Sequence, residues 1–185
     1  MTSLALAQVD ASQLIVIDVQ ERLAAAMTQD ALKQVVRNCN ILLQAAQLIS
    51  VPTVVTEQYP KGLGHTVPEL NSLIPASGAV EKRCFSCCEN MEFQARLAAD
   101  RPQVILAGME AHICVLQTAL QLKAQGKTVF VVEDAVLSRN SAHQTNAMQR
   151  LAQAGVIVSN TESVVFEWLK IAEGEAFKTI SRLVR

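Results

Sequence analysis

The sequence predicts an α/β domain built on a parallel sheet with helices on both faces. Three observations carry this expectation. Short, unbroken apolar runs recur at residues 14–17, 103–107, 128–132 and 156–158, as in strands covered on both sides. Between several of them lie segments with apolar residues at i, i+3, i+4 spacing, the signature of amphipathic helices. Strand and helix alternate about five times, which implies βαβ units.

The elements follow in order. Leu14-Ile15-Val16-Ile17 is a strand ending at Asp18. Leu32, Val35, Val36, Cys39, Leu42, Leu43, Ala46 and Ile49 then mark one face of a helix, and Pro52 opens a strand over 53–56. Residues 58–78 break the rhythm with Pro60, Gly62, Gly64, Pro68, Pro75 and Gly78. A segment of that length predicts a lid or a binding loop. Ala79-Val80-Glu81 is a short extended piece leading to Lys82. After the strands at 103–107 and 128–132 come helices at about 112–125 and 141–154, each followed by a glycine, Gly126 and Gly155, suited to a helix C-terminus. Residues 161–184 read as two short helices split at Gly174. The whole chain, 1–185, reads as a single domain.

Composition narrows the function classes. Sixteen basic and seventeen acidic residues give a net charge of −1, and like charges do not cluster in runs. Neither a nucleic-acid scaffold nor a polybasic membrane anchor is expected. The start, MTSLALAQVDASQ, has no basic residue before its apolar ones and does not read as a signal peptide. The longest uncharged stretch, 38–56, is interrupted by Asn38, Asn40, Gln44, Gln47 and Pro52, so it reads as a helix and a strand and not as a membrane span. Five cysteines without an export signal predict a reducing, cytoplasmic setting.

Ligands of open parallel sheets bind beyond the carboxyl ends of the strands. The residues there are Asp18, Glu57-Gln58, Lys82, the segment Gly108 to Cys114, and Asp134. Each has a plain structural reading alone. Cys114 opens a helix, where the dipole favours a thiolate, but cysteine is also a common buried hydrophobe. Asp18 can be a base, a metal ligand or a turn residue, and a single lysine such as Lys82 is ordinarily solvated. Asp134 reads as structural, tying down the loop 135–140 and Arg139. Taken together, a thiol nucleophile, a carboxylate base and an orienting cation make up a covalent hydrolytic site, with backbone N–H groups before Cys114 to receive an oxyanion.

The segments Ile17-Asp18-Val19-Gln20, Thr56-Glu57-Gln58-Tyr59-Pro60, Lys82-Arg83-Cys84-Phe85-Ser86, Gly108-Met109-Glu110-Ala111-His112-Ile113-Cys114-Val115 and Val132-Glu133-Asp134-Ala135 occur in this order. Over roughly residues 10–165 the chain resembles the isochorismatase-like cysteine hydrolases. The run Thr-Glu-Gln-Tyr-Pro-Lys-Gly-Leu-Gly most resembles the branch of isochorismatase domain-containing proteins. The resemblance implies a three-layer α/β/α Rossmann-like fold with a six-stranded parallel sheet. It implies a triad of Asp18, Lys82 and Cys114, a cis peptide between Met109 and Glu110, and an oxyanion hole from the N–H groups of Glu110 and Cys114. It further implies a homo-oligomer, a small-molecule substrate with an amide-type C–N bond, and a thioester on Cys114.

Gln20, Gln58, Tyr59, Phe85 and His112 are candidate substrate contacts, with Leu63 adding to an apolar wall. No metal or cofactor is expected. The nicotinamidase branch places Asp-x-His and a further His after the second strand, whereas this loop offers only His65. Cys84-x-x-Cys87-Cys88 lacks the second pair of a structural zinc site. Cleavage of a vinyl ether, which needs no thiol, and an idle scaffold with the same fold both stay open. A nucleotide-dependent dehydrogenase is excluded, because no Gly-x-Gly-x-x-Gly follows the first strand.

Overall fold

The structure, a computed structural model, describes residues 6–185. Its elements run β1 (Ser12–Ile17), α1 (Glu21–Ala24), α2 (Gln29–Leu48), β2 (Thr53–Gln58), α3 (Pro60–Leu63), α4 (Pro68–Asn71), β3 (Val80–Lys82), α5 (Met91–Arg96) and β4 (Gln103–Met109). They continue with α6 (Leu116–Ala124), β5 (Thr128–Leu137), α7 (Ser141–Gln153), β6 (Ile157–Ser159), α8 (Thr161–Leu169) and α9 (Gly174–Leu183). The six strands form one parallel sheet in the order β3-β2-β1-β4-β5-β6. The chain winds outward from β1 to β3, then returns to place β4 on the other side of β1. The switch point therefore lies between β1 and β4, the place beyond the strand ends where open parallel sheets bind ligands.

Strand alternation sorts the core into two layers. Leu14 and Val16 of β1, with Val55, Ile105, Ala107, Phe130 and Val132, face α2, α8 and α9. Ile15 and Ile17, with Val54, Val104, Leu106, Val129 and Val131, face α5, α6 and α7. The fold is thus the predicted three-layer one. Asparagine side chains cap three helices: Asn90, Asn140 and Asn160 accept the N–H of Phe93, Ala142 and Ser163 at 2.8–2.9 Å, which satisfies first-turn donors.

At Gly108 the backbones of β4 and β1 approach closely. Its φ is 114°, and an added Cβ would sit 2.0 Å from the carbonyl oxygen of Ile17. Glycine is required there because β4 passes so close to the end of β1, one residue before Asp18.

Four expectations need correction. β5 extends beyond 132 to Leu137, and its register against β4 shifts between Leu106 and Gly108, which places Asp134 inside a bulged strand. Its carboxylate accepts the N–H and hydroxyl of Thr161, both at 2.8 Å. Asp134 therefore ties down the start of α8, while Arg139 binds Glu110 instead. The helix expected at about 112–125 opens with a π-helical turn, Ala111–Val115. Segment 58–78, expected to be a loop, has regular structure. It carries α3 and α4, and Thr66 pairs with Gln20.

Candidate active site

Asp18 sits just past β1 in a left-handed conformation, φ 49°, which aspartate tolerates better than most side chains. Its N–H donates to the Thr56 carbonyl at 3.1 Å, and the Thr56 hydroxyl donates to its Oδ1 at 2.7 Å. Lys82 is the last residue of β3. Its Nζ donates to Asp18 Oδ2 and to Gln58 Oε1, both at 2.7 Å. The carbonyls of Cys84 and Phe85 accept from the same ammonium at 3.3 and 3.2 Å. Both side chains of the Lys82–Asp18 pair are 0% exposed. Burial opposes the charge on Lys82, but the neighbouring Asp18 carboxylate and the two thiols Cys87 and Cys114 overcome that and hold its pKa up.

Cys114 lies in the π-helical turn, 6% exposed, near enough to Asp18 for the carboxylate to act on its thiol. Burial, then the negative charge of Asp18, push the thiol up to about 12, against the pull of Lys82. This reverses the expectation of a dipole-stabilised thiolate. A buried carboxylate beside the sulfur outweighs the helix start, so the group rests as a thiol beside a base.

The turn before Cys114 is anchored at both ends. The Met109–Glu110 peptide is cis. The Glu110 carbonyl accepts from Ile113 and Val115 at 3.0 and 3.3 Å. Its buried carboxylate takes the Arg139 N–H and Nε at 3.0 and 3.1 Å.

The other candidates fall in three places. Gln20 does not reach a cleft. It is fully buried, and its amide donates to the carbonyls of Gln58 and Gly64 at 3.1 and 2.6 Å and accepts from Gln58 N at 2.6 Å. Gln58 likewise holds Lys82 and, at 2.8 Å, the carbonyl of Arg83. Both were expected to bind substrate; Gln20 instead fixes the frame of the site, because a buried amide must bond its polar atoms locally, while the half-buried Gln58 orients Lys82. Tyr59 and Phe85 are exposed at the rim, 44% and 56%. The Arg83 guanidinium lies 5.0 Å over the Tyr59 ring, and both residues line a cavity of about 530 Å³ that also reaches Lys82 and Cys84. His112 bonds Ser138 at 2.8 Å and lies 4.9 Å from the His143 ring. Its burial, with the charges of His143 and Arg139, lowers its pKa.

His65 pairs with Glu57 at 2.9 Å. Glu57 also accepts the Thr66 N–H and hydroxyl at 2.7 Å, which pins the segment after β2. Reading the sequence missed Thr56 and Cys87. Cys87 is buried near Lys82 and Asp18, its N–H bonded to Thr118 at 2.9 Å, and burial lifts its thiol to about 12. Thr56 carried a usable signal, since a polar residue inside a doubly covered strand needs a partner.

A family model for the isochorismatase domain matches residues 12–163. The chain belongs to the isochorismatase family. Isochorismatase domain-containing protein 2 of Bos taurus is 39% identical over 176 residues, 94% of this chain and 83% of that protein. Among solved structures, a MAR1 ribonuclease from Caenorhabditis elegans is 36% identical with a TM-score of 0.89, over 96% of this chain and 91% of its own. YcaC from Pseudomonas aeruginosa, solved with hexane-2,5-diol and covalent acrylamide, is 25% identical with a TM-score of 0.88, over 97% of this chain and 92% of its own. The isochorismatase-family match ends within α8. That helix and α9 nevertheless complete the core through Val164, Val165, Trp168 and Ile180.

Proposed function

We propose that the chain is a cysteine-dependent hydrolase of a small amide-type substrate, with Asp18, Lys82 and Cys114 as its triad. The observation that carries this reading is the fully buried Lys82–Asp18 pair with the Cys114 thiol against the same carboxylate. A thiol pushed up to about 12 is a poor nucleophile until a base removes its proton. Asp18 takes that proton as sulfur attacks the carbonyl carbon, and the carbonyl electron pair moves onto oxygen. The N–H groups of Glu110 and Cys114 receive the oxyanion. Collapse restores the C=O and breaks the C–N bond, and the nitrogen leaves with the proton from Asp18. Water, deprotonated by Asp18, then attacks the thioester, and the thiolate recovers its proton as the acid departs. Lys82 holds Asp18 in place throughout and favours its charged form before each proton transfer. Tyr59, Phe85 and His112 bound the substrate's approach.

The Caenorhabditis elegans relative is named a ribonuclease, so RNA cleavage is the second reading. It ranks lower because Lys82, the cation that bonds Asp18, is already bonded to four oxygens and has no free donor for a phosphate.

The test pairs a labelling measurement with a substrate panel. Acrylamide, the group found covalently bound in the YcaC structure, is expected to modify Cys114 in the intact chain, and Asp18→Asn is expected to abolish that adduct while leaving the half-exposed Cys84 reactive. Small primary amides and carbamoyl compounds are expected to release ammonia, with Cys114→Ala silent. An inert Cys114 with a silent panel, turnover of a vinyl ether by Cys114→Ala, or cleavage of single-stranded RNA in place of amides would each refute the proposal.

A further inference from the structure

The Asp18–Lys82 pair joins β1 and β3, which are not neighbours in the sheet. Strand β2 runs between them, pairing Ile17 with Thr56 on one side and Gln58 with Lys82 on the other. Its sequence, TVVTEQ, puts Thr56 and Gln58 two residues apart and so on one face. The two partners of the ion pair meet above these side chains. Thr56 grips Asp18 at two points. Its carbonyl accepts the Asp18 N–H at 3.1 Å, and its hydroxyl donates to Oδ1 at 2.7 Å. Gln58 accepts from Lys82 at 2.7 Å.

We infer that Thr56 is a positioning residue for the thiol's base: its hydroxyl fixes the plane of the Asp18 carboxylate and leaves a lone pair turned to Cys114. This inference rests on the hydrolase reading of the triad. Lys82 alone holds one oxygen, which leaves the carboxylate free to turn about Cβ–Cγ. A second donor on the other oxygen stops that rotation. Hydrogen bonds to a charged acceptor are also roughly twice as strong as neutral ones, so the hydroxyl supports the ionised form of a carboxylate that is fully buried. A merely space-filling threonine would do neither.

The experiment compares acrylamide labelling of Cys114, read by peptide mass spectrometry across pH, in the unaltered chain, Thr56→Val, Thr56→Ser and Asp18→Asn. Valine keeps the shape and removes the donor. Thr56→Val is expected to slow labelling about 10- to 100-fold near neutral pH and to displace the rising limb of the rate–pH profile to higher pH. Thr56→Ser is expected to restore both, and melting curves confirm that each variant folds. Thr56→Val labelling at the unaltered rate with an unmoved profile, or equal slowing by serine and valine, would overturn the inference while leaving the triad standing. Unaltered chain that fails to label, or Asp18→Asn that labels normally, would refute the hydrolase reading itself and this inference with it.

Discussion

Replacing Lys82 with methionine tests the centre of the site through stability alone, with no substrate needed. Methionine preserves most of the side-chain stem, so lost packing contributes little. What disappears is an ammonium bonded at 2.7 Å to Asp18 Oδ2 and Gln58 Oε1 and reaching two carbonyls near 3.2–3.3 Å. The carboxylate left behind has 0% exposure and retains a donor on Oδ1 only. Breaking a buried pair from one side costs about 3–5 kcal/mol. In a domain of this size each kcal/mol shifts the midpoint by about 2–4 °C, so the expected fall is about 6–20 °C. Thermal unfolding followed by far-ultraviolet circular dichroism at neutral pH measures it. Adding Asp18→Asn to Lys82→Met removes the stranded charge and is expected to recover part of the loss, a coupling that a double-mutant cycle isolates. A single variant melting within about 2 °C of the unaltered chain, or a double variant no more stable than the single, would refute the claim that an uncompensated charge sets the cost.

Other outcomes follow from separate features. Gly108→Ala forces a Cβ onto the Ile17 carbonyl at 2.0 Å and is expected to cost upwards of about 3 kcal/mol in urea unfolding. Gly126→Ala, also at positive φ but with nothing within 4 Å, is expected to cost only about 1–2 kcal/mol; equal costs would contradict the close approach of β4 to β1. Proton NMR is expected to separate the histidines: His65, hydrogen-bonded to the Glu57 carboxylate and facing its charge, titrates above its ordinary 6.5, and His112 titrates below it. Burial opposes charge on Glu57, but bonds from Thr66 and His65 leave its carboxyl below the usual range. The stabilisation from Glu57 is therefore complete above the ordinary carboxylate pKa and lost as pH falls through its lowered folded value. That from His65 is complete below 6.5 and lost as pH rises through its raised folded value. Glu57→Gln is expected to return His65 toward 6.5 and to flatten stability over both windows; a His65 titration unmoved by Glu57→Gln would break the assignment.

Much of the fold, and the three side chains proposed as a triad, could be read from the letters. Apolar runs such as Leu14–Ile17 mark strands buried on both faces, and the strand-end rule directs attention to Asp18, Lys82 and the turn before Cys114. What sequence did not convey is how each polar atom is engaged. Gln20 and Gln58 look like substrate contacts because they follow strands, yet their amides bond backbone and Lys82. Nothing in one dimension tells a buried amide from one lining a cleft. The direction of the Cys114 shift was misjudged for a related reason, since proximity to a helix start is local while burial beside Asp18 is a property of the assembled sheet. The bulge in β5 was hidden because Glu133 and Asp134 read as the end of an apolar run.

The ammonium of Lys82 rides on the sheet's outermost strand, three residues long and hydrogen-bonded on one side to β2. Peripheral ladders of this size open more readily than the centre of a sheet. When β3 detaches, the cation departs with it, while β1 and β4, which carry Asp18 and lead to Cys114, stay paired to each other. Opening of β3 alone therefore parts the Lys82 ammonium from Asp18 without unpairing the sheet's centre, and β2 with the 58–78 segment sets how firmly that border is gripped.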